Sequence, residues 1–331
     1  MMIPLTMVLL STLAAQQPRF DTDTTVAVPQ GARLRLQNQN GDILIRTWNR
    51  QEMRIQAMHA ARARVEVDVR GQMVDVRVRD RLGMPRAVDY ELTVPASMAL
   101  DVGGMSAEIS IDGIRAPVKA NTLEGNITLR GGTESISLTA LSGRIEVSGA
   151  RGRLEVRAVS NDVAIADVEG DVIAESVSGN IDMRNVVSRS VDAQVVSGNV
   201  VFQGPIDDRG TYTMVSHSGN VTLALPDNAN ATIAASVSSG TVRSSFSMSS
   251  ERQSRRLTRY RLGSGTASID VETFSGNVRI LRTAELESPR PSRRDRGRDR
   301  DRGRPDRDEH SLEAGISAAI MSSIDNGRDE P

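Results

Sequence analysis

The chain has 331 residues, with 41 basic and 42 acidic side chains, 2% aromatics, one tryptophan and no cysteine. That charge balance provides no global field for nucleic acid or an anionic membrane, so any basic bias is local. The missing cysteines exclude disulfides, thiolate zinc sites, a cysteine nucleophile and a lipoprotein anchor, and so few rings leave only a thin core of stacked Val, Ile, Leu and Ala, as in an elongated fold.

The chain begins "MMIPLTMVLLSTLAAQQ", an uncharged and mostly apolar stretch ending in small alanines. It reads as a secretory signal over residues 1–15, cut near Ala15. A spanning helix would need roughly 20 apolar residues, so the mature protein is expected to have no integral membrane span. It is expected to be exported to the periplasm, the outer cell envelope or the extracellular space. Residues 16–98 follow as alternating strands of irregular spacing, among them "ARLRLQNQNGDILIRTW" and "AVDYELTVPASMALDV". They predict an N-terminal β section capping what comes next, because the terminal units of a repeat fold must shield its open end and edge strands. "NGD" at Asn40 to Asp42 already resembles the later corners.

Residues 99–283 are repetitive. Gly125, Gly143 and Gly179 recur in steps of 18 residues or twice that, with Asn161 standing in once and Ala107 before them. Leu100, Val118, Ile136, Leu154 and Val172 form one apolar column in the same register. Ile109, Ile127, Ile145, Val163 and Ile181 form a second, and Ile111, Leu129, Val147, Ile165 and Met183 a third. A fixed period near 20 residues is the signature of a solenoid, whose units bury their apolar faces only against neighbours. Within one unit Ile136, Leu138 and Ala140 alternate with polar residues, and so do Leu141, Gly143, Ile145 and Val147. The change of parity between Ala140 and Leu141 demands a bend, since adjacent side chains of a strand point oppositely. Each coil is therefore predicted to hold two short strands, paired in parallel with those of the next coil about 4.8 Å away.

The corners carry the motif "SGN". The predicted corner residues are Gly125, Asn126, Gly143, Asn161, Gly179, Asn180, Gly198, Asn199, Gly219, Asn220, Gly240, Gly276 and Asn277. Glycine suits a positive φ or a close backbone approach, and asparagine tolerates left-handed geometry and can bond its neighbours in a ladder. These are structural roles; the alternative is a row of ligand-binding residues. Later corners spread out, and "GPIDDRGT" and "PDNANAT" are expected to be loops bulging from one edge. Repeats are expected to end near Arg282.

Residues 284–331 change character. Arg290 to Glu309 contain nine arginines and six acidic residues with no apolar side chain beyond proline, a composition expected to be disordered. Leu312, Ile316, Ile320 and Ile324 then recur every four residues behind Ser311, which predicts a short amphipathic helix.

Chemistry is sparse. His59, His217 and His310 are scattered, without a carboxylate partner at metal-ligand spacing. His217 occupies the column of Val177 and Val196, where a half-buried structural histidine is the expectation. The serines before the glycines lack a G-x-S-x-G elbow, and "GSG" at Gly263 to Gly265 lacks the setting of a phosphate cradle. Asp162, Asp171 and Asp182 leave open a polysaccharide-cleaving coil, which would need paired carboxylates, though no aromatic sugar platform accompanies them. No catalytic, cofactor-binding or metal-binding residue is predicted.

With "VDYELTVPASMALDV", the "SGN[IV]" corners and the terminal "GSGTASIDVETFSGNVRI" in view, residues 24–282 resemble the bacterial DUF4097 family of adhesin-like β-strand-repeat proteins. The resemblance implies an exported, all-β, solenoid-like protein with no catalytic residues to carry across. The expected function is non-enzymatic: an adhesin-like or envelope-scaffold surface whose partner is a cell-envelope protein or a surface polysaccharide, not nucleic acid. The alternative is a periplasmic partner of a membrane signalling complex, bound through the tail.

Overall fold

A computed structural model describes residues 20–80 and 87–287. The signal segment, His310, the Arg/Asp-rich stretch and the predicted amphipathic helix lie outside the described residues. The fold is an all-β solenoid, and the one helix among the described residues is the short Thr283–Glu287.

Each regular coil places one strand in each of two parallel sheets. The coil made by Ser135–Ser142 and Ile145–Ser148 is representative. Ile136 stands between Val118 and Leu154 in one sheet, and Ile145 between Ile127 and Val163 in the other. All three predicted apolar columns point inward and are almost fully buried. The core is as thin as the composition requires; Phe202 and Tyr212 bring large rings into the middle of its repeat region, packing at 5.7 Å, and Phe246 adds one near its end. Alternating short apolar side chains fill the space between two sheets that are closed at both corners.

Space and sequence part company at both ends of the stack. Arg33–Asn40 and Ile43–Trp48 already form a coil, with Leu34 beside Leu100 and Ile43 beside Ile109. Stacking therefore starts well before residue 99. Outside that coil sits another, Met73–Asp80 with Asp89–Pro95, although it comes later in the chain. Antiparallel strands close this end: Ala63–Arg70 on Met73–Asp80, Glu52–Met58 on Asp89–Pro95, and Thr22–Ala27 outermost. At the other end Ala267–Ser275 and Val278–Arg282 stack directly on Ile206–Ser218 and Val221–Leu225. The earlier segments Ala231–Ser239 and Val242–Ser244 are pushed outside them. The cause is the hairpin of Ser249–Arg252 and Leu257–Leu262, which pairs antiparallel with Ala231–Ser239 and so needs that strand at the rim.

Two local expectations are corrected. "GPIDDRGT" is not a loop, because Ile206–Ser218 is one strand that absorbs its extra residues in a register shift opposite Ser188 and Ser190. Tyr212 fixes this bulge, donating its hydroxyl to the Ser188 carbonyl (2.6 Å) and accepting from the Asp207 amide (2.9 Å). The bend of the coil falls at Ser142–Gly143 rather than between Ala140 and Leu141, since the strand keeps its register through Ser142. Leu141 consequently faces outward.

Candidate functional site

Three parallel rows run along one corner edge. The first is backbone. At Gly179, Gly198 and Gly219 φ lies near +150°, and a Cβ on any of them would come within 2.0 Å of the preceding corner's carbonyl oxygen. Only a residue without a side chain lets successive corners approach this closely. Gly125, Gly143, Gly240 and Gly276 press on a neighbouring corner in the same way, and Asn161 takes the glycine position with φ +81°. Gly276 rests on Gly219 and Gly240 on Gly276, which is the spatial order of the coils rather than the sequence order.

The second row is polar. Asp162 Oδ1 accepts from both the backbone amide (2.8 Å) and the side-chain amide (3.0 Å) of Asn180. Asn180 then accepts from Asn199, Asn199 from Asn220, and Asn220 from Asn277, each through a backbone and a side-chain donor at 2.9–3.1 Å. The chain of bonds ends at Thr241, whose amide and hydroxyl donate to Asn277. Asn126 accepts the Arg144 amide one step before the row becomes continuous. The Asn180 amide, and after it the Arg144 guanidinium, hold the Asp162 carboxyl below the usual carboxylate range. From Asp162 to Asn277 one side-chain oxygen of each ladder residue accepts two bonds, and each asparagine keeps one amide N–H outside the ladder, which therefore stiffens the edge with these acceptors engaged.

The third row is apolar and exposed. Met105, Leu123, Leu141, Val159, Val177, Val196 and Phe274 are each 40–54% exposed. Pairs in register on either side, such as Thr122 with Gly104 and Glu124 with Ser106, place these residues side by side on consecutive coils. His217 fills the place between Val196 and Phe274, its ring stacked on that of Phe274 at 5.0 Å with 3° between the planes. It is exposed, not half-buried, because the whole column faces solvent. Gln39 bounds the row at one end and Ser238 at the other. Eight positions at about 4.8 Å give a ridge about 34 Å long. Beside it runs a hydroxyl row of Ser142, Ser160, Ser178, Ser197, Ser218 and Ser275, all exposed but the half-buried Ser160.

The other candidates are dispersed. Asp162 and Asp171 stand at opposite ends of the Val163–Glu169 strand, and Asp182 is paired with Arg184 at 2.9 Å. His59 bridges Thr22 Oγ1 (2.7 Å) and the Ala60 carbonyl (3.0 Å), a pattern in which Nδ1–H donates to the carbonyl and Nε2 accepts from the hydroxyl. Among the described residues no group of three His, Asp or Glu is placed to hold a metal ion, and no helix is long and apolar enough to cross a membrane.

The sequence description of the Toastrack DUF4097 family matches residues 31–281, most of the stack. The chain belongs to that family. Two solved structures are similar to this toastrack chain. One is of a candidate cell adhesion protein from Clostridium sporogenes, at 13% identity and TM-score 0.18, covering 79% of this chain and 99% of that one. The other is of a candidate adhesin from Bacteroides fragilis, at 12% identity and TM-score 0.37, covering 78% and 96%. Likeness at that level carries no function from one chain to another. No curated protein matches the sequence.

Sequence reasoning missed the exposed ridge. Its signal was present, since an apolar residue recurs two places before nearly every corner. Leu141 was grouped instead with the inward Ile145 and Val147, because an apolar residue in a strand is read as core by default.

Proposed function

We propose that this toastrack protein is an exported, non-enzymatic, adhesin-like element of the bacterial envelope, and that its corner edge is the contact surface. The observation that carries the reading is the ridge from Met105 to Phe274. Soluble monomers seldom expose a contiguous apolar row, and one bordered by polar residues marks an interaction site. The glycine contacts along the corner, and the asparagine ladder from Asp162 onward, fix successive coils against one another, so a partner would meet a preorganised surface and little ordering entropy would be lost on binding. Family membership supports the adhesin-like reading, and the expected partner is a cell-envelope protein or a surface polysaccharide.

A photo-crosslinking side chain at Val177, introduced in the producing cells, tests this directly. Covalent adducts at Val177 and none at Arg130, which is exposed on the other sheet, are the expected result. Equal labelling at both positions, or none at Val177, would remove the ridge as the contact surface. Cleavage of a polysaccharide by the purified protein would overturn the non-enzymatic part.

A further inference from the structure

We propose that the partner seated on the ridge is the ridge of a second copy of this chain. This rests on the reading above and names the occupant of the same surface. Three observations separate a second copy from other occupants. A sugar chain is gripped by aromatic faces spaced along its length, whereas the ridge is mainly aliphatic and its two rings, His217 and Phe274, sit together at one end. An added peptide strand needs an unpaired backbone edge, and the backbone behind the ridge is paired on both sides by neighbouring coils. A second ridge needs neither. It presents side chains at the same spacing of about 4.8 Å, so the projections of one row fit the gaps of the other along the whole length.

The surroundings allow close approach. Apart from His217 the ridge has no titratable side chain, and in the adjoining hydroxyl row the one charged residue is Glu124, which accepts from Ser106 at 2.9 Å. On the opposite flank Arg157 is neutralised by Glu155 and by Glu175. Glu272 is the remaining charge of that flank and lies beside Phe274 at one end of the ridge, so two ridges running in opposite directions would set no like charges opposite one another. Three residue steps of about 3.3 Å separate the outer rows, so a strip about 34 Å by about 14 Å covers the ridge and one row on each side; that is roughly 500 Å² per copy or about 1,000 Å² in total, the size of a weak, concentration-dependent interface. An isologous contact of this kind closes on itself as a dimer.

Sedimentation equilibrium of the purified full chain from about 1 to about 200 µM, beside the variant Val159→Lys/Val177→Lys, is the test. The expected result is a dimer for the parent and at least a ~10-fold weaker dimer for the variant, since lysines would face lysines. Both positions point to solvent, so the variant should melt with the parent. The chain has no cysteine, so Val177→Cys with a short bis-maleimide should give a covalent dimer and Arg130→Cys should not. A monomeric parent throughout, or a variant that dimerises as well as the parent, overturns the second copy as partner. If the parent is monomeric but the lysine variant loses attachment to envelopes, the ridge takes a different partner: the second copy falls and the adhesin-like reading stands. If the variant also keeps its attachment, both fall.

Discussion

Replacing Gly179 with alanine isolates what the corner demands. An ideal Cβ there lies 2.0 Å from the Asn161 carbonyl oxygen and 2.5 Å from its carbon, on a residue whose φ is +145°. The oxygen belongs to backbone, so relief requires the two coils to separate at the corner. Strained backbone costs about 1–3 kcal/mol, and overpacking adds about 1–3 kcal/mol, for a total of roughly 2–6 kcal/mol. At about 2–4 °C per kcal/mol the melting temperature of the full chain should fall by roughly 5–20 °C. Gly71→Ala is the control, because φ there is +56° and nothing lies within 4 Å of its added Cβ. It should show only the backbone part, about 1–2 kcal/mol. Thermal unfolding followed by far-ultraviolet circular dichroism measures both, and Gly179→Ala melting together with Gly71→Ala would refute the close-approach reasoning.

Three further outcomes follow from the packing and the ladder. Ile181→Asp puts an unpaired carboxylate in a fully buried column and should cost more than about 4 kcal/mol, so a melting temperature equal to the parent's would contradict the register. Asn199→Ala removes the acceptor for two donors of Asn220 and one donor to Asn180; chemical denaturation should show a loss of about 1–2 kcal/mol, and no loss would make the ladder ornamental. Asp162→Asn concerns acid. The Asp162 carboxyl titrates below its ordinary 3.8, so its contribution to stability is present above that value and lost as pH falls through the lower folded one. The amide variant keeps an acceptor for Asn180 and should match the parent at pH 7 to within about 1 kcal/mol. It should lose less stability between about pH 4 and pH 2, and parallel acid profiles would contradict this.

Much of the fold was legible because one physical rule repeats. Ile136, Leu154 and Val172 fall in one column at a fixed interval, and nothing but stacked coils buries such a column. What was not legible is spatial order. Gly276 follows Gly240 in sequence yet sits between Gly219 and Gly240, since an antiparallel hairpin forces Ala231–Ser239 to the rim and spacing along the chain reports only covalent neighbours. Arg33–Trp48 was assigned to a separate section for a similar reason: residues 49–98 interrupt the period between two coils that touch. The ridge was hidden by a different ambiguity. Leu141 and Ile145 are both apolar and four residues apart, and only the position of the bend, Ser142–Gly143, decides that one faces solvent and the other the core.

The central claim is that this protein acts through the ridge. Binding of the fluorescently labelled full chain to the surface of the cells that produce it tests that claim most directly, with the parent compared against Val159→Lys/Val177→Lys at equal fold stability. Saturable binding by the parent and at least a ~10-fold weaker binding by the variant is the predicted result. Identical binding curves for the two proteins would contradict it.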